Sequence, residues 1–187
     1  AMDEDEIFLN FEEGIEKATE YAAHEFSAVN TGKANPHMVE GIMVEAYGST
    51  MPIRDMAAIS TPDNRTIAIT PWDKGTLKAI EKAIQTSNIG ITPAIMGDII
   101  RLPLPELTGD RRQELVKLVG KHAEDARVGV RKARHDAMDA IKRLQKDGEI
   151  SEDNLKRCEK EIQTGTDNGI KKINDLLAAK EKDLLTV

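Results

Sequence analysis

The chain has 187 residues, of which 40% are hydrophobic, 32% charged and only 3% aromatic, and its formal net charge is −7. That length supports one domain of ordinary size or two small ones, and many charges with few aromatic rings suit long solvated helices better than a dense aromatic core. A single cysteine, Cys158, excludes an internal disulfide, no apolar run reaches the ~20 residues of a membrane span, and the acidic start Met2–Glu6 is unlike a secretory signal or transit peptide, so a cytoplasmic protein without membrane contact is expected.

From Ile7 to Val29, apolar residues fall at Phe8, Phe11, Ile15, Ala18, Ala22, Phe26 and Val29, in steps of three or four that line one face of a helix. Gly32 is placed to stop that helix, with Pro36 close behind. The texture then turns β-rich. Ile42, Val44 and Ala46 alternate with Met43, Glu45 and Tyr47, Gly48 breaks the run, and Ile53, Ile59 and Thr66–Thr70 add short extended pieces between prolines and glycines. One helix interrupts them from Lys74 to Gln85, with Leu77, Ile80 and Ile84 on one side, and a last extended stretch, Ile99–Leu102, runs into Pro103-Leu104-Pro105. These pieces make a small α+β unit.

Helical spacing returns from Arg111 to Gln145, at Leu115, Val119, His122, Ala126, Val130, Ala133, Ala137, Ile141 and Leu144. Lys146-Asp147-Gly148 turns the chain, and Ser151 is placed to cap a further helix, with Asn154 where a capping box would carry Glu or Gln. Leu155, Cys158, Ile162, Gly165, Gly169, Ile173, Leu176, Lys180 and Leu184 form a seam over Glu152–Leu184. Each of these helices would span roughly 50 Å, too long for a compact domain of this mass, so the long helices should bury their stripes on one another. The predicted fold is α+β: an elongated antiparallel three-helix bundle of residues 1–30 and 106–187, with a small α/β domain of residues 31–105 inserted in it. The two crossings, at Thr31-Gly32 and Pro103-Leu104-Pro105, are expected to form a two-stranded hinge, Gly32 adding backbone freedom while Pro103 and Pro105 block helical continuation.

Charge is unevenly spread. Arg111–Lys146 holds eleven Lys or Arg against five acids, a local balance of +6, and leaves −13 for the rest of the chain. Such a chain avoids indiscriminate binding to polyanions while one basic face still attracts phosphate. On a helical wheel Arg127, Arg131 and Arg134 lie within about 60° of one another and roughly 100° from the centre of the apolar seam, so they share an exposed flank. Arginine suits phosphate because its planar fork donates two parallel hydrogen bonds to the oxygens.

Six stretches resemble the bacterial ribosome recycling factor family in order and spacing: Asn30–Pro36, Ile42–Gly48, Ile100–Thr108, the pair Arg111-Arg112, Ala126–Arg131 and Gly148–Asp153. The resemblance runs from the first helix to the last and implies an L-shaped, two-domain protein, a three-helix bundle with a small α/β domain on a hinge. It also implies an accessory translation factor that binds the post-termination ribosome on large-subunit ribosomal RNA near the intersubunit bridges. With elongation factor G and GTP such a factor splits the subunits, and a monomer is expected. By position, the family's RNA contacts look like Thr31, Gly32, Lys33 and Ala34 at the hinge and Arg127, Arg131 and Arg134 on the long basic helix. Asn30, Lys33 and His135 depart from the arginines common there, which removes a charge at Asn30 and a bidentate fork at Lys33.

Nothing in the sequence suggests catalysis, so no enzyme, cofactor or metal site is expected. No G-x-x-x-x-G-K-[ST] loop or G-x-G-x-x-G turn occurs. His24, His37, His122 and His135 never form an i, i+4 pair; Cys158 reads as core packing, His122 as a satisfied seam residue, and Trp72 as an anchor of the small core. The competing reading is a coiled-coil adaptor that binds a protein through its long helices. Salt separates the two, since RNA docking loses ~0.7 to 0.9 log units of affinity per log of salt for each phosphate neutralised.

Overall fold

A computed structural model describes residues 2–87 and 89–186. In chain order the elements are α1 (Glu4–Ala28), β1 (Met43–Ala46), β2 (Ser49–Pro52), β3 (Ala57–Asp63), β4 (Thr66–Pro71), α2 (Leu77–Thr86), β5 (Ala94–Met96), β6 (Ile99–Pro103), α3 (Gly109–Lys146) and α4 (Glu152–Leu185). They divide into two compact units, one of Ala1–Asn30 with Gly109–Val187 and the other of Thr31–Thr108.

The first unit is a bundle of α1, α3 and α4. Asp3 starts α1 by accepting a hydrogen bond from the Glu6 N–H at 2.8 Å, and Glu4, Asp5 and Glu6 set negative charge against the positive end of the helix dipole. Its stripe buries Ile7, Phe11, Ala18, Ala22 and Phe26. The helix stops at Ala28, where Val29 passes into extended backbone, so Gly32, at φ +76°, turns the connector beyond the helix instead of ending it. Between α3 and α4, Gly148 at φ +77° closes a Schellman turn: its N–H donates to Gln145 O at 3.0 Å and the Glu149 N–H to Leu144 O at 2.9 Å. Ser151 then caps α4, accepting from the Asn154 N–H at 3.1 Å.

Side-chain pairs give the helix directions. Asn154 and Arg157, in the first turns of α4, both reach Glu4 at the start of α1, so α1 and α4 run parallel. Arg112, in the first turn of α3, meets Leu184 near the end of α4, so α3 runs against both. Small residues bring α1 close to its neighbours: a Cβ on Gly165 would stand 2.7 Å from Phe11 Cε2, one on Gly169 2.9 Å from Ile15 Cγ2, and one on Gly14 2.8 Å from Ala133 Cβ. At the Glu4 end the core holds Ile7, Phe11, Ala137, Ile141, Cys158 and Ile162.

In the second unit, β3, β4, β6 and β5 form an antiparallel sheet in that order, and β1 pairs with β2 as a separate hairpin. Tyr47 (φ 52°) and Gly48 (φ 77°) make the two-residue turn of that hairpin, both left-handed as a type I′ turn requires. Alternation buries Ile67 and Ile69 of β4 with Ile100 and Leu102 of β6, and Ile80 and Ile84 of α2 join the same core with Val39, Val44 and Ile53. Pro103 is the last residue of β6 and pairs with Thr66. Leu104 follows it into the core, with its N–H donating to Arg65 O at 2.8 Å. The side chain of Leu107 lies over Gly32, where a Cβ would come within 3.1 Å of Leu107 Cγ, and Glu106 pairs with Arg65 at 3.5 Å. These contacts group residues 106–108 with the α/β unit, whereas the sequence reading gave them to the bundle.

Trp72 is 69% exposed, not the core anchor expected of it, because it lies one residue beyond the last paired position of β4, where only its N–H is held, by Met56 O at 3.2 Å. His122 is only partly the satisfied residue expected: its Nε2 lies 3.7 Å from Glu25 Oε2 and its ring meets Tyr21 edge-on, yet the buried Nδ1 has no hydrogen-bond partner.

Candidate nucleic-acid interface

Arg127, Arg131 and Arg134 come together on the flank of α3 that faces α4. Seven residues separate Arg127 from Arg134, close to two helical turns, so their stems project alike and reach one neighbour. Arg127 Nε donates to Asn174 Oδ1 at 2.9 Å and Arg134 Nε to Gln163 Oε1 at 2.8 Å, both on α4. Arg131, between them, donates from Nη1 to Glu124 Oε1 at 2.8 Å, while the other oxygen of Glu124 accepts from Arg127 Nη1 at 2.9 Å. These bonds, Arg131 first, hold the Glu124 carboxyl below the usual carboxylate range, so it remains an anion beside two cations.

Away from the arginines, Lys132 pairs with Asp136 at 3.6 Å, and His135 Nε2 lies 3.1 Å from Asp139 Oδ2. The arginine flank therefore carries the net positive charge of this part of α3. Glu124 was within reach of a sequence argument, since it precedes Arg127 by three residues and Arg131 by seven. Asn174 and Gln163 were not, because the register of α4 against α3 depends on packing.

Thr31, Gly32 and Lys33 lie in the other unit, each half-buried, and the segment runs on through Ala34, whose N–H donates to Asn64 O at 2.7 Å. Gly32, Pro103 and Pro105, named as hinge residues, all fall inside that unit too; the two crossings between the units are Asn30–Thr31 and Thr108–Gly109. Cys158 is fully buried, and that burial, reinforced by the hydrogen bond of its thiol to Glu4, pushes the thiol up to about 11, where it is neither nucleophile nor ligand at neutral pH. Among the described residues no group of three or more His, Cys, Asp or Glu could hold a metal ion, and no helix is long and apolar enough to cross a membrane.

A basic flank on a helical bundle that carries a small α/β unit defines a two-unit protein with a surface suited to a polyanion, and comparison with known proteins gives its family. The family model described as "Ribosome recycling factor" matches residues 22–185. The ribosome-recycling factor of a Bradyrhizobium species is 49% identical over 173 residues, 92% of each chain, and that of Carboxydothermus hydrogenoformans is 48% identical over 182 residues, 97% of this chain and 98% of the relative. A solution structure of the ribosome recycling factor is similar over the whole of both chains, with 41% identity and a TM-score of 0.80. A structure of the T. thermophilus ribosome recycling factor and the E. coli elongation factor G bound to the E. coli post-termination complex matches 99% of this chain and all of that one, with 38% identity and a TM-score of 0.66. The chain belongs to the ribosome recycling factor family.

Proposed function

We propose that this chain binds the ribosome after termination and, with elongation factor G and GTP, promotes separation of the subunits so that they can be reused. The observation that carries this reading is its likeness, over nearly its full length, to a recycling factor in a post-termination complex that also holds elongation factor G. The sequence contains neither of the common nucleotide-phosphate cradles, which assigns the energy of splitting to the partner GTPase. The activity is assigned to the cytoplasm, a reading supported by the likeness to bacterial ribosome-recycling factors.

Arg127, Arg131 and Arg134 are assigned to the backbone of large-subunit ribosomal RNA, with Thr31, Gly32 and Lys33 as a second contact. The excess of eleven Lys or Arg over five acids in Arg111–Lys146, within a chain of net charge −7, supports the first assignment. Movement between the units is assigned to the crossings Asn30–Thr31 and Thr108–Gly109, with Gly32, Pro103 and Pro105 shaping the connectors on the α/β side. The direct test is splitting of post-termination ribosomes with elongation factor G and GTP, with and without this protein. Splitting that proceeds equally well in its absence would end the reading.

A further inference from the structure

The inference here rests on the reading of the Arg127, Arg131 and Arg134 flank as the surface that meets RNA. A guanidinium can grip phosphate in two-pronged fashion along either of two edges, Nε with Nη2 or Nη1 with Nη2. Arg127 has one nitrogen of each edge engaged, Nε by Asn174 and Nη1 by Glu124, and its side chain is only 20% exposed. Arg131 is engaged at Nη1 alone, which leaves its Nε/Nη2 edge without a partner among the described residues. Arg134 is engaged at Nε by the neutral amide of Gln163, which leaves its Nη1/Nη2 edge in the same condition. The three arginines are therefore not equivalent: two offer an intact edge, and Arg127 offers none unless an existing bond breaks.

Glu124 makes the difference between them. Its two oxygens take one guanidinium each, at 2.9 and 2.8 Å, in the way two oxygens of a phosphate would. An incoming phosphate must either displace this carboxylate or bind beside its negative charge. We propose that Glu124 is an affinity-limiting residue for the ribosome: it fixes the spacing of Arg127 and Arg131 and competes with RNA phosphate for them, leaving Arg134 and the open edge of Arg131 as the primary grip. A factor that must leave the ribosome after each round needs such a limit, because a tighter grip on the backbone lengthens residence.

The test is sedimentation of purified bacterial large ribosomal subunits with the wild-type chain, Glu124→Gln and the double variant Arg131→Ala/Arg134→Ala, at salt from about 50 to about 200 mM. Glutamine removes the charge and keeps one acceptor oxygen, its donor amide standing where the second oxygen was, so one arginine is released as well, and Glu124→Gln should bind about two- to fivefold more tightly, the range that one exposed ion pair commands. Its log–log salt dependence should steepen by about 0.7, roughly one phosphate equivalent. A purely structural role for Glu124 predicts equal or weaker binding with an unchanged slope, and that result overturns the proposal. The double variant keeps the two failures apart. If it binds as well as wild type, the flank is not the RNA face and the role of Glu124 falls with it; if it binds weakly while Glu124→Gln does not tighten, only the role of Glu124 falls.

Discussion

Arg112, in the first turn of α3, donates from Nη1 to the carbonyl oxygen of Leu184 at 2.7 Å, so the start of one long helix satisfies an orphan carbonyl at the end of another. The cation also sits against the negative end of the α4 dipole. Arg112→Ala should lower the stability of the bundle by about 1.5–3 kcal/mol, the range of a hydrogen bond to a charged group, read as a shift in the urea midpoint at unchanged m. Amide exchange should accelerate in the last turns of α4 before anywhere else in the bundle. Uniform exchange along α4 in the variant would show that the contact is dispensable.

Gly32 is constrained twice, by its left-handed backbone at φ +76° and by Leu107, whose Cγ would lie 3.1 Å from an added Cβ. Gly32→Ala should cost about 1–2 kcal/mol in backbone strain alone, more with the overlap, and the loss should appear in the α/β unit and not in the bundle. Adding Leu107→Ala should recover part of that loss, a non-additivity that a double-mutant cycle measures directly.

The close approach of Phe11 to α4 makes Gly165 intolerant of any side chain, since a Cβ would stand 2.7 Å from Phe11 Cε2. Gly165→Ala therefore sets the gain in helix propensity against overpacking of about 1–3 kcal/mol. Net destabilisation in thermal melts is expected. A stabilised variant would mean that Phe11 moves aside at little cost.

Glu4 accepts from Arg157 at 2.6 Å, from Asn154 at 3.1 Å and from the Cys158 thiol at 3.4 Å, and these bonds, Arg157 foremost, hold its carboxyl below the usual range. A carboxyl depressed in the folded state stabilises at neutral pH, and that contribution disappears as pH falls through the folded-state value. Glu4→Gln should therefore lower stability at neutral pH, by a deficit that shrinks as pH falls through the folded-state value, and so flatten the acid side of the stability profile. Cys158 has the opposite sign: raised to about 11, it favours the folded state up to the ordinary thiol range and opposes it as pH climbs further. Native protein at neutral pH should resist a thiol reagent that labels it at once in denaturant.

The helices were legible because each repeats an apolar residue every three or four positions over many turns, and their bounds fall within a few residues of those read from the pattern. Gly165 and Gly169 on the α4 seam were legible for the same reason, and Ser151 as a cap from its place just ahead of that helix. Strand β5 was not: all three residues, Ala94–Met96, are exposed, so no alternation marks it, and its existence depends on hydrogen bonds to β6. The second arm of the hairpin, β2, was hidden likewise. Trp72 misled because size and hydrophobicity fix what a side chain would gain by burial, not whether the end of a strand offers room. At the arginine flank, spacing placed three guanidinium groups on one side of a helix but could not say which donors were already in use.

Gly32 and Leu107 stand near opposite ends of an insertion that runs from Thr31 to Thr108, yet they touch. Once folded, those 78 residues act for the bundle as a tight connection, and the penalty of about 4 kcal/mol for closing a flexible loop of that length is met within the insertion itself. During synthesis α1 leaves the ribosome long before either partner helix exists, while the α/β unit has all its strands in hand. By joining its own ends, the insertion returns the chain that leaves α1 to the neighbourhood from which α3 departs.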